Sequence, residues 1–285
     1  MLKANYSFEA IGTQWSIETE TKIPVELKNT IQRRIEAFDS TYSRFRKDSL
    51  VTKIAQKPGE YLFPKDTDKL LSFYSQLYAI TNGKVTPLIG DMISRAGYDA
   101  DYSLKPLTQK PIILWDDAVM WDGTTLKTNQ PVTLDFGAAG KGYLIDIISD
   151  ILNEHSVTEY VVDGSGDLKH KGTSMNKIGL EHPLDATKII GAIDVQNRSF
   201  CASTSNRRAW GEGMHHIFDP DEMAPTRDII ATWVIADEAM IADGLATALF
   251  FTDPRTLREK YDYEYVRMHA NGVLDYSAYF KDSLF

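Results

Sequence analysis

Leu134-Asp135-Phe136-Gly137-Ala138-Ala139-Gly140-Lys141-Gly142-Tyr143-Leu144-Ile145-Asp146 is the stretch around which the chain is organised. Val132 and Leu134 read as the end of a strand and Gly137 to Gly142 as a turn of small residues. Leu144, Ile145, Ile148, Ile151 and Leu152 then mark one apolar face of a following helix. Small residues let backbone N–H and C=O groups come close to whatever lies opposite them. A helix N-terminus behind such a turn favours anions, and Lys141 adds a point charge suited to phosphate. An ordinary strand-to-helix connection shows the same pattern, so the weight falls on the rest of the chain.

Upstream, Phe8, Ala10, Trp15 and Ile17 alternate loosely about Gly12-Thr13, as a strand broken by a bend does. Pro24 opens a helix whose stripe is Val25, Leu27, Ile31, Ile35 and Phe38. Residues 39–49 read as a polar loop. Leu70, Leu71, Tyr74, Leu77 and Tyr78 mark a second helix, closed by Asn82-Gly83. From 97 to 130 the chain is turn-rich, with Trp115 and Trp121 placed in short strands. Downstream, the strand Tyr160-Val161-Val162-Asp163 ends in Gly164-Ser165-Gly166-Asp167, another small-residue turn, this one carrying an acid. Strands are expected at 176–182, 189–195, 199–203 and 229–237. A helix follows from about Met240, another after Pro254, and a hairpin turns at Asn271-Gly272. With no repeat, low-complexity tract or long linker, residues 1–285 are expected to form a single compact α+β domain.

Composition sets bounds on function. The chain has 31 Lys and Arg against 40 Asp and Glu, a net charge of −9, which argues against a nucleic-acid surface or a basic membrane patch. Cys201 is the only cysteine, so an intrachain disulfide and a Cys-rich metal site are excluded. No run of 18 apolar residues occurs, and Met1-Leu2-Lys3-Ala4-Asn5-Tyr6 carries neither an apolar leader core nor a lipidation cysteine. The expected location is cytoplasmic. The alternative is an exported lipoprotein whose leader lies outside this sequence.

Two further stretches carry chemistry. Asp243 is the only acid between Met240 and Phe251, and Thr247 stands four residues on, so both point the same way from one helix. Carboxylate, hydroxyl and carbonyl oxygens are the hard ligands that suit Mg²⁺ beside phosphate. An Asp favoured by the helix dipole is the plainer alternative. His215-His216 is the only histidine pair. An imidazole titrates near neutrality and can take a hydroxyl proton. Adjacent strand residues face opposite ways, so at most one of the two is expected to enter a given pocket.

Taken in order, these stretches resemble the ApbE family of FAD:protein FMN transferases over nearly the whole chain. The resemblance rests on Ile11-Gly12-Thr13 with Trp15, Ser43 to Ser49, Gly83 to Gly90, Asp135 to Tyr143, Gly164 to Asp167, His215 to Pro220 and Ala242 to Ala248. It implies an ApbE-like α+β fold with a mixed, largely antiparallel sheet and packed helices. It further implies FAD contacts at Ile11, Phe45, Lys84, Val85, Thr86, Asp135, Lys141 and Ile217. Mg²⁺ would be held by the Ala138 carbonyl, Asp243 and Thr247, with His216 as the base. The implied reaction cleaves the FAD pyrophosphate and moves FMN onto a Thr or Ser hydroxyl of an acceptor protein, releasing AMP. The chain departs from the family pattern in several places. Thr86 stands where the family has aspartate and Phe45 where it has tyrosine, Ser203-Thr204-Ser205 replaces its Thr-Ser-Gly segment with Ser205 in place of the glycine, and Asp219-Pro220-Asp221-Glu222-Met223 replaces its Asp-Pro-x-Thr-Gly run with Met223 in place of the glycine. Two alternatives follow from the same site: an FAD pyrophosphatase giving FMN and AMP, and a non-catalytic FAD-binding or delivery protein.

Overall fold

The alternating N-terminal residues pair with one another. Ala4–Ala10 and Thr13–Thr19 form an antiparallel hairpin whose turn residues, Ile11 at φ +44° and Gly12 at φ +75°, are both left-handed. Two positive φ values suit the right-handed twist of the flanking strands. The computed structural model describes residues 2–211 and 213–285, and in it this hairpin begins an eight-stranded sheet. The remaining strands are Tyr160–Asp163, Leu168–Lys171, Ser199–Thr204, Ile229–Ala236, Glu264–His269 and Leu274–Tyr276, placed across the sheet in chain order. Every pairing in it is antiparallel.

The chain makes two compact units and passes between them four times. The first holds the chain up to Ile35, Ala139–Asn206 and Arg227–Phe285; the second holds Glu36–Ala138 and Arg207–Thr226. The eight-stranded sheet lies in the first. Its Ile229–Ala236 strand is an almost continuous apolar run because both of its faces are covered. Ala231, Trp233 and Ile235 join a core with Val161, Leu168, Phe200 and Val266. Between them, the Thr232 hydroxyl donates to the Ala246 carbonyl at 2.6 Å, which ties the helix Ala239–Ala248 to the strand. That helix packs in turn on the helix Gly140–Glu154.

In the second unit the helix Thr67–Ile80 buries Leu70, Leu71, Tyr74 and Leu77, and Asn82 and Gly83 end it in left-handed conformations. A three-stranded antiparallel sheet of Gly59–Leu62, Thr125–Thr128 and Val119–Trp121 belongs here. Three details differ from the pattern read in the sequence. Residues 131–136 form no strand: Val132 and Leu134 are buried, yet one backbone bond, Asp135 N–H to the Pro87 carbonyl at 2.7 Å, stands where a ladder was expected. Trp115 starts a one-turn helix, Trp115–Ala118, while Trp121 is in a strand as expected. The helix that begins at Val25 runs on to Tyr42 because that ring is buried against Phe38 and Phe136. Val25 itself is exposed. Among the described residues no helix is long and apolar enough to cross a membrane.

Candidate active site

In the first unit the helices Gly140–Glu154 and Ala239–Ala248 cap each other. Neither has a side-chain cap of its own at Ala139 or Glu238. Asp146 of the first supplies the second: its Oδ1 accepts from Ala239 N–H at 3.1 Å and its Oδ2 from Met240 N–H at 2.8 Å. Asp243 of the second supplies the first, its Oδ2 accepting from Gly142 N–H at 2.9 Å. Carboxylates at helix N-termini satisfy orphan N–H groups and oppose the positive end of the dipole. The dipole role considered for Asp243 on its own helix is therefore taken by Asp146. Gly142 makes the arrangement possible, since a Cβ there would lie 2.1 Å from the Ala239 carbonyl oxygen.

Charge is concentrated at this junction. Lys141 Nζ lies 2.7 Å from Asp167 Oδ2, and the Asp167 side chain is only 2 % exposed. Burial would lower the Lys141 pKa, but the charges of Asp167 and Asp243 outweigh it and hold the ammonium above its ordinary range. Both carboxylates therefore act on the one ammonium at this junction. Asp243 is buried, and Thr247 stands one turn further along the same helix. Burial, then Asp167 and Asp243, push the Cys201 thiol well above its usual range. Among the described residues no three His, Cys, Asp or Glu side chains come together as a transition-metal cage. The donors at Asp243 and Thr247 are hard oxygens and fit Mg²⁺. Ile11 lies in the N-terminal hairpin turn of this unit. Ala138 is the last residue of the second unit before the chain enters the Gly140 helix.

The second unit holds the other candidates. Asp135 Oδ2 accepts from Arg44 Nε at 2.5 Å and Oδ1 from Gly137 N–H at 2.7 Å. Burial would raise the Asp135 pKa, but the Arg44 guanidinium and the Gly137 bond hold it below the ordinary carboxylate value. Phe45 stacks on Tyr102 with ring centroids 5.3 Å apart and meets Tyr98 edge-on at 5.5 Å. Lys84 Nζ contacts Asp219 at 2.6 Å and Asp221 at 2.7 Å. Val85 is buried with its N–H on the Thr81 hydroxyl at 3.0 Å, and the Thr86 hydroxyl caps the Pro87–Ile89 turn through Leu88 N–H at 3.1 Å.

The two histidines differ for a reason the strand rule did not supply. Only His215 belongs to a strand, the two-residue Met214–His215. Its Nε2 lies 2.9 Å from the Thr226 carbonyl and its Nδ1 accepts from Ile217 N–H at 3.3 Å, so both ring nitrogens are engaged in one neutral tautomer. Burial lowers its pKa despite the bond to the carbonyl, which keeps the ring neutral. His216 follows in a bend, half-buried, and Ile217 is buried beside it.

Asp146, Asp167 and Arg44 were not singled out from sequence as site residues. Asp167 had a signal, an acid ending a small-residue turn. Asp146 lies two turns into a helix and Arg44 in a charge-mixed loop, positions where only the folded neighbours show what the side chain does.

The ApbE family model matches residues 11–267. An FAD:protein FMN transferase of Vibrio cholerae is 24 % identical over 241 residues, covering 78 % of this chain and 72 % of that one. Its Escherichia coli K12 counterpart is 21 % identical over 284 residues, covering 88 % and 79 %. Among solved structures, the flavin transferase ApbE of Vibrio cholerae superposes with a TM-score of 0.81 at 20 % identity, covering 99 % of both chains. The ApbE protein of Thermotoga maritima does so with 0.84 at 21 % identity and the same coverage. With the family match spanning all seven stretches and most of the chain, this chain belongs to the ApbE family.

Proposed function

We propose that the protein is a Mg²⁺-dependent FAD:protein FMN transferase that breaks the FAD pyrophosphate, joins FMN to a Ser or Thr hydroxyl of an acceptor protein and releases AMP. The family match and relatives bearing that enzyme name support the reaction class. The observation that carries the chemistry is the buried Asp243–Gly142–Lys141–Asp167 junction. It sets the Asp243 carboxylate, with Thr247 one turn further along the same helix, beside an ammonium held in its charged form. Mg²⁺ bound at Asp243 and Thr247 would neutralise charge that builds on the pyrophosphate as AMP leaves.

The chain's own residues divide the remaining work. Lys141 carries a fixed positive charge at a helix N-terminus, where a phosphate oxygen is favoured by the charge and by the dipole. Asp167 fixes the position of that charge. Phe45, half-buried with Tyr102 stacked on it, is proposed to contact FAD through its aromatic ring. Ile11, Lys84, Val85, Thr86, Asp135 and Ile217 complete the residues proposed to contact FAD. His216 is proposed to take the proton of the acceptor hydroxyl as its oxygen attacks the FMN phosphorus. His215, by contrast, is committed through both ring nitrogens, to the Thr226 carbonyl and to Ile217 N–H. The location proposed is cytoplasmic, as expected from the sequence.

Titrating Mg²⁺ into wild-type protein and Asp243→Ala in the presence of FAD and an acceptor protein, with AMP formed as the readout, tests the site. Loss of one preorganised electrostatic group lowers turnover by about 10²-fold or more. Asp243→Ala that is folded and matches the wild type at every Mg²⁺ concentration rules the assignment out.

A further inference from the structure

Arg44 is a nearly buried cation of the second unit, and one of its donors is unsatisfied. Its side chain is 5 % exposed. Nε donates to Asp135 Oδ2 at 2.5 Å and Nη1 to the Ser94 hydroxyl at 3.2 Å. Nη2 is buried and has no acceptor. The guanidinium carbon lies 4.2 Å from the centroid of the Phe45 ring and 5.3 Å from that of Tyr98. Tyr102 stacks nearly parallel on Phe45, at 12° between planes, and is 52 % exposed. Tyr102 is held at φ +49° and Leu104 at φ +54°, left-handed values uncommon for such residues.

A buried N–H of a charged group without an acceptor is costly, and native proteins leave few of them. Its surroundings narrow what could satisfy it. Asp135 already balances the guanidinium charge, so the open donor favours a neutral carbonyl oxygen over a phosphate. Aromatic rings beside it favour a planar ligand. Phe45 is, by the function proposed above, a flavin contact, and this inference rests on that function. We infer that Arg44 is a flavin-recognition residue: its Nη2 donates to a carbonyl oxygen on the pyrimidine-dione edge of the isoalloxazine ring, and the exposed Tyr102 ring yields its place on Phe45 as that edge enters.

The test measures binding, without turnover, for three probes: FAD, riboflavin, which has the ring and no phosphate, and ADP, which has the pyrophosphate and no ring. Arg44→Lys keeps a cation for Asp135 and removes the Nη2 donor. It is expected to weaken riboflavin and FAD by about 10- to 100-fold, the range for a hydrogen bond from a charged group, and to leave ADP unchanged. Weakening of ADP with riboflavin unaffected overturns the assignment, because the donor would then face phosphate. No change for any probe also overturns it and makes Arg44 a brace for Asp135 alone. If the variant does not fold, wild-type protein decides with 2-thio- and 4-thioriboflavin, whose sulfur is a poor acceptor. One of the two is expected to bind about 10-fold or more weakly than riboflavin, and equal binding of all three contradicts the inference. Wild-type protein that binds none of FAD, riboflavin or ADP removes the proposed function and this inference together. Wild-type binding of FAD with an indifferent Arg44→Lys removes the inference alone.

Discussion

Gly142→Ala sets two effects of opposite sign against each other. Ala favours a helix interior over Gly by about 1 kcal/mol, so propensity alone predicts a more stable protein. The structure predicts the reverse. The added Cβ would sit 2.1 Å from the Ala239 carbonyl oxygen, 2.5 Å from its carbon and 2.8 Å from Asp243 Cβ. These are backbone atoms and a helix-bound Cβ, with no flexible side-chain end able to swing away. Reaching ordinary contact at 3.4 Å requires the two helices to part locally by about 1.3 Å. The 2.9 Å bond from Gly142 N–H to Asp243 then opens beyond hydrogen-bonding range. Overpacking costs about 1–3 kcal/mol, and the lost bond to a buried carboxylate about 1.5–3 kcal/mol. After the propensity gain, the net loss is about 1.5–5 kcal/mol. For a chain of this size that is a fall in Tm of roughly 3–8 °C. Calorimetry measures it, and a Mg²⁺ titration of FAD cleavage should show a weaker metal response as Asp243 shifts. A Tm equal to or above that of the wild type would refute the mutual capping of the two helices.

Other outcomes follow from the same geometry. Lys141→Ala should weaken FAD far more than riboflavin in a binding titration, and should lower stability because Asp167 loses its ammonium; adding Asp167→Asn should restore stability without restoring FAD affinity. His216→Ala should reduce FMN transfer by about 10²–10⁴-fold with little change in FAD affinity, whereas His215→Ala should act mainly by loosening the Thr226 contact, seen as a lower melting temperature. Burial depresses the His215 pKa below the ordinary 6.5, so below that value the unfolded chain takes up a proton that the folded state resists; stability should fall as pH drops through 6.5, and His215→Gln should flatten that dependence in denaturant titrations. One cooperative thermal transition is expected for residues 1–285, since the chain passes repeatedly between its two units; two well-separated calorimetric transitions would oppose the single-domain expectation.

Much of this was legible in residue order because the informative segments are strongly patterned. The helix faces at Leu144 to Leu152 and Leu70 to Tyr78, the Asn82-Gly83 stop and the Asn271-Gly272 hairpin all depend on local periodicity and turn chemistry, and all are present. Trp115 and the segment before Asp135 were misplaced for a physical reason. Apolar residues mark burial, and burial alone does not distinguish a strand from an extended or one-turn segment. The glycines at 137–142 signalled close approach correctly, but what approaches at Gly142 is another helix. Asp146 and Arg44 were hidden because their partners are 93 and 91 residues away in sequence. The strand rule read for His215 and His216 does not apply, because only His215 lies in a strand, where its ring meets the Thr226 carbonyl.

The central claim is group transfer, and the most direct measurement counts both products at once. Purified protein is incubated with FAD, Mg²⁺ and an acceptor carrying an exposed Ser or Thr in a flavinylation motif. The acceptor is weighed by mass spectrometry while AMP is quantified. Transfer predicts an acceptor heavier by one FMN less water, AMP equal to the FMN attached, and neither product when acceptor or Mg²⁺ is withheld. AMP and free FMN formed without acceptor would make the protein a pyrophosphatase, and FAD bound with no AMP released would make it a flavin carrier; either result contradicts the transferase assignment.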